Sequence, residues 1–75
     1  MVIIWSKDTC GYCDMAKRLL AQKGIIFEEK KIGYGYTKED LLNEIPNART
    51  VPQIIIDGKV IGGYNELNNY FNKGN

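Results

Sequence analysis

A β-branched apolar run, Val2-Ile3-Ile4-Trp5, is followed by Cys10-Gly11-Tyr12-Cys13 and then by a segment whose apolar residues recur at helical spacing. This order constrains the fold more than any other feature of the chain. The run is short, apolar and bounded by Lys7-Asp8-Thr9, so it reads as a buried strand. From Tyr12 to Lys23, Ala16, Leu19 and Leu20 form one face, opposite Asp14, Lys17, Arg18 and Gln22, and Gly24 supplies a left-handed end cap. Ile25 to Ile32 reads as a second strand, with Phe27 and the neighbouring isoleucines on its buried side and Glu28, Lys30 and Lys31 toward solvent or an edge. A strand, a helix and a strand in this order favour a parallel pair with a right-handed crossover.

Gly33-Tyr34-Gly35-Tyr36 reads as a loop, and Thr37 with Asp40 as a capping arrangement for a helix of about two turns ending before Pro46. Leu41, Leu42 and Ile45 are its apolar stripe. Pro52 to Ile56 and Lys59 to Ile61 flank Asp57-Gly58, the strongest hairpin signal in the chain, which predicts antiparallel strands. Gly62-Gly63 ends the sheet, and Asn65-Glu66-Leu67 begins a last helix with Leu67, Tyr70 and Phe71 inward. The expected fold is α/β, in the order βαβαββα: one four-stranded mixed sheet with helices on both faces. Seventy-five residues allow one domain, 1–75, with no repeat or linker.

The hydrophobic fraction of 44% and charged fraction of 25% are those of an ordinary soluble globule. A formal charge of +1 without a basic stripe argues against a nucleic-acid partner. No run approaches membrane-spanning length and the N-terminus lacks the features of a secretory signal, so no membrane partner and a cytoplasmic location are expected. Two cysteines allow one disulfide, too few for the framework of a secreted mini-protein, and a reducing compartment favours a catalytic pair. The absence of histidine removes Cys–His nucleophiles and most single-chain transition-metal sites.

A C-x-x-C between a strand and a helix, in a small α/β pattern, points to thiol–disulfide exchange. A helix start presents unpaired N–H groups and about half a positive charge, which favours thiolate over thiol. Cysteines so placed reach pKa values of roughly 3.5–7, against about 8.5 unperturbed. Cys10, nearest the strand end, is the expected nucleophile, with Lys7 also favouring its thiolate; Cys13, one turn into the helix, is the expected resolving thiol. A structural disulfide across so short a loop would constrain little chain. Thr50-Val51-Pro52 heads a strand, where proline costs no ladder bond, and Val51 could offer its main chain to an extended peptide. Gly62-Gly63 allows close backbone approach before a helix start, a natural carboxylate site.

Taken together, Ser6-Lys7-Asp8-Thr9-Cys10-Gly11-Tyr12-Cys13, Ala48-Arg49-Thr50-Val51-Pro52-Gln53-Ile54 and Ile61-Gly62-Gly63-Tyr64-Asn65-Glu66-Leu67 resemble the glutaredoxins, in family order and over essentially the whole chain. The resemblance is to the short dithiol type of bacteria and phages, with a thioredoxin-like fold. It implies a glutathione-dependent oxidoreductase acting on protein disulfides and glutathione mixed disulfides, with glutathione as co-substrate and no bound metal or prosthetic group. It also implies a cis Val51–Pro52 bond, with Val51 pairing with the cysteinyl part of glutathione. Gly63, Tyr64 and Asn65 would receive the γ-glutamyl carboxylate and Lys7 the glycyl carboxylate, while Tyr12 walls the groove and Thr50 holds the Val51 loop. The implied partners are disulfide-containing or glutathionylated proteins, ribonucleotide reductase being one acceptor used by small members of the family. A monomer is expected.

Three residues depart from the family pattern. Gly11 stands where the commonest dithiol members have proline, and it is also the residue of members that hold a [2Fe-2S] cluster between two protomers through the first cysteine and glutathione. Asn65 replaces a common acid that could meet the glutathione amine, and Glu39 falls where many members carry Gln or Arg for the glycyl carboxylate, a role that Lys38 or Arg49 could take over. Two alternatives therefore stay open: a glutaredoxin-like redoxin reduced by thioredoxin reductase, and a dimeric carrier of a [2Fe-2S] cluster ligated by Cys10 and glutathione.

Overall fold

In the computed structural model, which describes residues 1–72, the elements run β1 (Val2–Ser6), α1 (Gly11–Gln22), β2 (Phe27–Lys31), α2 (Lys38–Glu44), β3 (Gln53–Ile56), β4 (Lys59–Gly62) and α3 (Tyr64–Asn72). The sheet order is β2-β1-β3-β4, with β1 parallel to β2 and antiparallel to β3, and β3 antiparallel to β4. The expected order and mixed four-stranded sheet are found.

β1 is apolar from Val2 to Trp5 because it lies inside the sheet and is covered on both faces. Val2 and Ile4 face one core with Ala16 and Leu20 of α1, Ile54 of β3 and Leu67 of α3. Trp5 faces the other, with Ile55 of β3, Leu41 of α2 and Ile45 just after it. Fully burying one such aliphatic side chain contributes about 1.5–3 kcal/mol. On the second face the Trp5 indole N–H donates to Glu44 at 2.8 Å and the Lys30 ammonium lies 5.2 Å from the ring centroid.

Gly24 ends α1 as expected, at φ +71°. Its N–H donates to Ala21 at 3.0 Å and the Ile25 N–H donates to Leu20 at 3.0 Å, the paired bonds of a Schellman end. Asp57 and Gly58, at φ +51° and +81°, make the hairpin turn, both positive as a type I′ turn requires.

Two expectations about the core are corrected. The second strand is shorter than Ile25 to Ile32, and Ile26 is 92% exposed. Ile25 is taken into the α1 end, and side chains alternate along an edge strand, so with Ile25 and Phe27 packed on the core Ile26 must point away. Tyr70 is 48% exposed, not inward. Tyr64, Leu67 and Phe71 define the packed stripe of α3, and at 3.6 residues per turn Tyr70 stands about 90° from its middle. Small boundary shifts accompany these: α1 begins at Gly11, β3 at Gln53 and α3 at Tyr64, while Leu42 is only half-buried.

Candidate active site

The loop after β1 delivers Cys10 to the N-cap of α1 in an extended conformation, φ −123° and ψ 102°. Its sulfur accepts the Cys13 N–H at 3.1 Å, taking one of the free donors of the helix start. Cys10 and Cys13 are joined as a disulfide, with Cα atoms 5.2 Å apart. Cys13 is 1% exposed while Cys10 is half-buried, so only Cys10 meets a partner from solution. The Cys10 sulfur also lies 3.7 Å from the Val51 carbonyl oxygen, and the Val51–Pro52 bond is cis.

Two open cavities meet at Thr50-Val51. One, of about 240 Å³, is lined by Tyr12, Thr50, Val51, Pro52, Gly63, Tyr64, Asn65 and Glu66. Its rim holds the Tyr12 and Tyr64 rings, with centroids 6.1 Å apart. The other, of about 210 Å³, is lined by Lys7, Ile32, Lys38, Leu41, Arg49, Thr50 and Val51. The expected glutathione-site residues Lys7, Tyr12, Thr50, Val51, Pro52, Gly63, Tyr64 and Asn65 thus each border one of the two cavities. Lys7 stands apart from Gly63, Tyr64 and Asn65, on the other side of the Val51 loop, where Lys38 and Arg49 join it. Glu39 does not line this basic cavity.

Glu66 was not singled out in the sequence. Its carboxylate accepts the Gly63 N–H at 2.9 Å, and it fits because Gly62 and Gly63 lack side chains: a Cβ on Gly62 would lie 2.9 Å from Glu66 Cγ. The spacing Gly63-x-x-Glu66 is the signal that could have found it, since Glu at the third helical position reaches back to the N-cap amide.

Behind the site Ser6, fully buried, donates to Glu29 at 2.5 Å, and the Lys17 ammonium lies 2.9 Å from the same oxygen. The Ser6 hydrogen bond above all, then Lys17, holds the Glu29 carboxyl below the usual carboxylate range against its partial burial. Beside the Cys10 loop, hydrogen bonds from Tyr34 and then Lys31 lower the pKa of Asp8. The same contacts raise those of Lys31 and Tyr34, in each case chiefly through the hydrogen bond to Asp8.

Among the described residues no cluster of three or more His, Cys, Asp or Glu side chains could hold a metal ion. One protomer offers an iron–sulfur cluster a single accessible thiol, a donor set that does not fit a cluster by itself. No helix among the described residues is long and apolar enough to cross a membrane.

Similar proteins are known over most of the chain's length. The Glutaredoxin family model matches residues 2–61. Glutaredoxin 3 of Escherichia coli is 42% identical over 66 residues, covering 88% of this chain and 80% of the relative. Glutaredoxin 1 from Francisella tularensis, solved in complex with cacodylate, superposes with a TM-score of 0.83 at 32% identity, covering 96% of this chain and 92% of that one. A buckwheat glutaredoxin–glutathione complex gives a TM-score of 0.80 at 28% identity, covering 96% and 69%. The chain belongs to the glutaredoxin family and is a thiol–disulfide oxidoreductase with a disulfide-forming Cys10–Cys13 pair.

Proposed function

We propose that this protein reduces glutathione mixed disulfides and protein disulfides with glutathione as its reductant, Cys10 being the nucleophile and Cys13 the resolving thiol. One observation carries the reading: the two cavities that meet at Thr50-Val51 form a trough beside the Cys10 sulfur, which lies 3.7 Å from the Val51 carbonyl oxygen, with a basic end at Lys7, Lys38 and Arg49 and a helix start at its other end. A small peptide with a carboxylate at each end and a thiol in the middle matches it. Tyr12 and Tyr64 wall the trough, and Thr50 and Pro52 shape its floor beside Val51. Gly63, Tyr64 and Asn65 present the helix-start amides to the γ-glutamyl carboxylate. The glutathione held by the buckwheat neighbour supports the same reading.

With a glutathione mixed disulfide, the Cys10 thiolate attacks the glutathione sulfur and the protein thiolate leaves. A second glutathione thiolate then attacks the bound glutathione sulfur, releasing glutathione disulfide and the Cys10 thiolate. With a protein disulfide, Cys10 forms the mixed disulfide and Cys13, as thiolate, attacks the Cys10 sulfur. The substrate leaves as a dithiol and Cys10–Cys13 closes, to be reopened by two glutathiones. Cys13→Ser is expected to keep turnover of glutathione mixed disulfides and lose most reduction of protein disulfides, whereas equal retention by Cys10→Ser and Cys13→Ser would overturn the assignment.

One observation favours a rival reductant, thioredoxin reductase. The Glu66 carboxylate already occupies the Gly63 amide, at the end of the trough assigned to a ligand carboxylate.

A further inference from the structure

The loop that presents Cys10 is fastened by a cluster that takes no part in sulfur exchange. Thr9, the residue before Cys10, has φ +54°, a left-handed conformation that a β-branched residue seldom adopts and that its surroundings must hold. Asp8, one residue earlier, is fixed from two sides. The Tyr34 hydroxyl donates to Asp8 Oδ2 at 2.6 Å, and the Lys31 ammonium lies 3.0 Å from Oδ1. Lys31 is also 4.7 Å from the Tyr34 ring centroid, so the three side chains form one closed set. Lys31 comes from the end of β2, paired with Ser6, and Tyr34 from the following turn, where its N–H donates to Lys31 at 3.0 Å. Tyr34 is 61% exposed, so the core does not account for its placement.

We propose that Tyr34 is a positioning residue for the nucleophile: through Asp8 it keeps Thr9 left-handed and so keeps the Cys10 sulfur at the N-cap of α1. The inference rests on Cys10 being the nucleophile. At the N-cap the sulfur receives the Cys13 N–H and the positive end of α1, the two influences that favour thiolate. A Thr9 free to relax would let Cys10 leave that position for part of the time. The same set also pairs the Asp8 charge with Lys31 and the Tyr34 hydroxyl, and an unpaired carboxylate in this loop would oppose thiolate formation. The other titratable groups beside this loop are Lys7 within it, Tyr12, Cys13 and Asp14 in the first turn of α1, and Lys38 and Arg49, which line the cavity with Lys7 and Thr50-Val51. All six are common to the variants compared below, so a change in titration reports on the strap.

The test is alkylation of the reduced protein by iodoacetamide as a function of pH, with Cys10 modification followed by mass spectrometry. Tyr34→Phe removes the hydroxyl and keeps the ring over Lys31. It is expected to raise the Cys10 midpoint by about half a pH unit, which is about threefold slower alkylation below the midpoint. In an Asp8→Ala background the same substitution should add no further shift. An unchanged midpoint, with or without a lower melting temperature, overturns the proposal, as does an equal shift in the Asp8→Ala background. If Cys10 of the unsubstituted protein titrates no lower than Cys13, the nucleophile assignment itself falls and takes the strap with it.

Discussion

Helices α1 and α2 begin in opposite ways. At α2 the Thr37 hydroxyl accepts the Asp40 N–H at 3.1 Å and the Asp40 carboxylate accepts the Thr37 N–H at 2.9 Å, a complete capping box. At α1 the cap is a sulfur that accepts one N–H, and among the described residues no side chain accepts the Cys10 N–H in return. α3 resembles α1: its N-cap, Gly63, has no side chain, and only the returning half is made, by Glu66. The incompletely capped starts are those beside the Cys10 sulfur and at the Gly63 end of the trough, while the completed one, α2, lies at the basic end, where it contributes the Lys38 side of the cavity rather than free amides. Free donors at a helix start cost stability unless something receives them. They persist here where a thiolate or a ligand carboxylate can be that partner.

Cys10→Ser should sharpen this contrast most. Serine is among the best N-cap residues, so the variant is expected to match or exceed the reduced parent in stability by a few tenths of a kcal/mol, while turnover falls to the uncatalysed level. Thermal melts of reduced protein and a mixed-disulfide turnover assay check both; a marked loss of stability would mean that Cys10 is kept for its packing. Thr37→Ala is the converse: about 1 kcal/mol lost in denaturant unfolding with turnover unchanged. Altered turnover would break the division between structural and functional starts. Gly11→Pro is expected to have the smallest effect. Gly11 is the first residue of α1 and a Cβ there would meet no heavy atom within 4 Å, so a pre-set φ should stabilise by about 0.4–1 kcal/mol. Denaturant unfolding reads this directly, and destabilisation would show that the start of α1 needs the freedom glycine gives.

Features written in local chemistry were legible in the sequence. The short apolar run Val2-Ile3-Ile4-Trp5, the Gly24 end, the Thr37–Asp40 box and the Asp57-Gly58 turn each depend on neighbouring residues, and each stands where it was expected. The misplaced side chains depend on packing between elements. Ile26 is apolar and adjacent to a strand, yet parity at an edge sends it to solvent. Tyr70 has helical spacing from Leu67 but lies beyond the stripe that the sheet covers. At the site, the two cysteines and the Thr50-Val51-Pro52 and Gly63-Tyr64-Asn65 segments were legible because each is a short motif, whereas Ile32 and Leu41 of the basic cavity were not. The Asp8–Lys31–Tyr34 set was not, because its members are 23 and 26 residues apart in sequence and meet only when β2 lies parallel to β1. Glu66 was not legible as part of the site although its spacing from Gly63 is local, because it closes an amide of its own helix start.

The central claim is that glutathione, received in the trough beside Cys10, is the reductant. The most direct measurement is the rate at which the oxidised protein regains its thiols in two arms, one with glutathione, glutathione reductase and NADPH, the other with thioredoxin reductase and NADPH. Rapid reduction in the glutathione arm, with little in the other, is the predicted result. Reduction by thioredoxin reductase alone would contradict the account and would leave the Glu66 carboxylate as the occupant of the Gly63 amide.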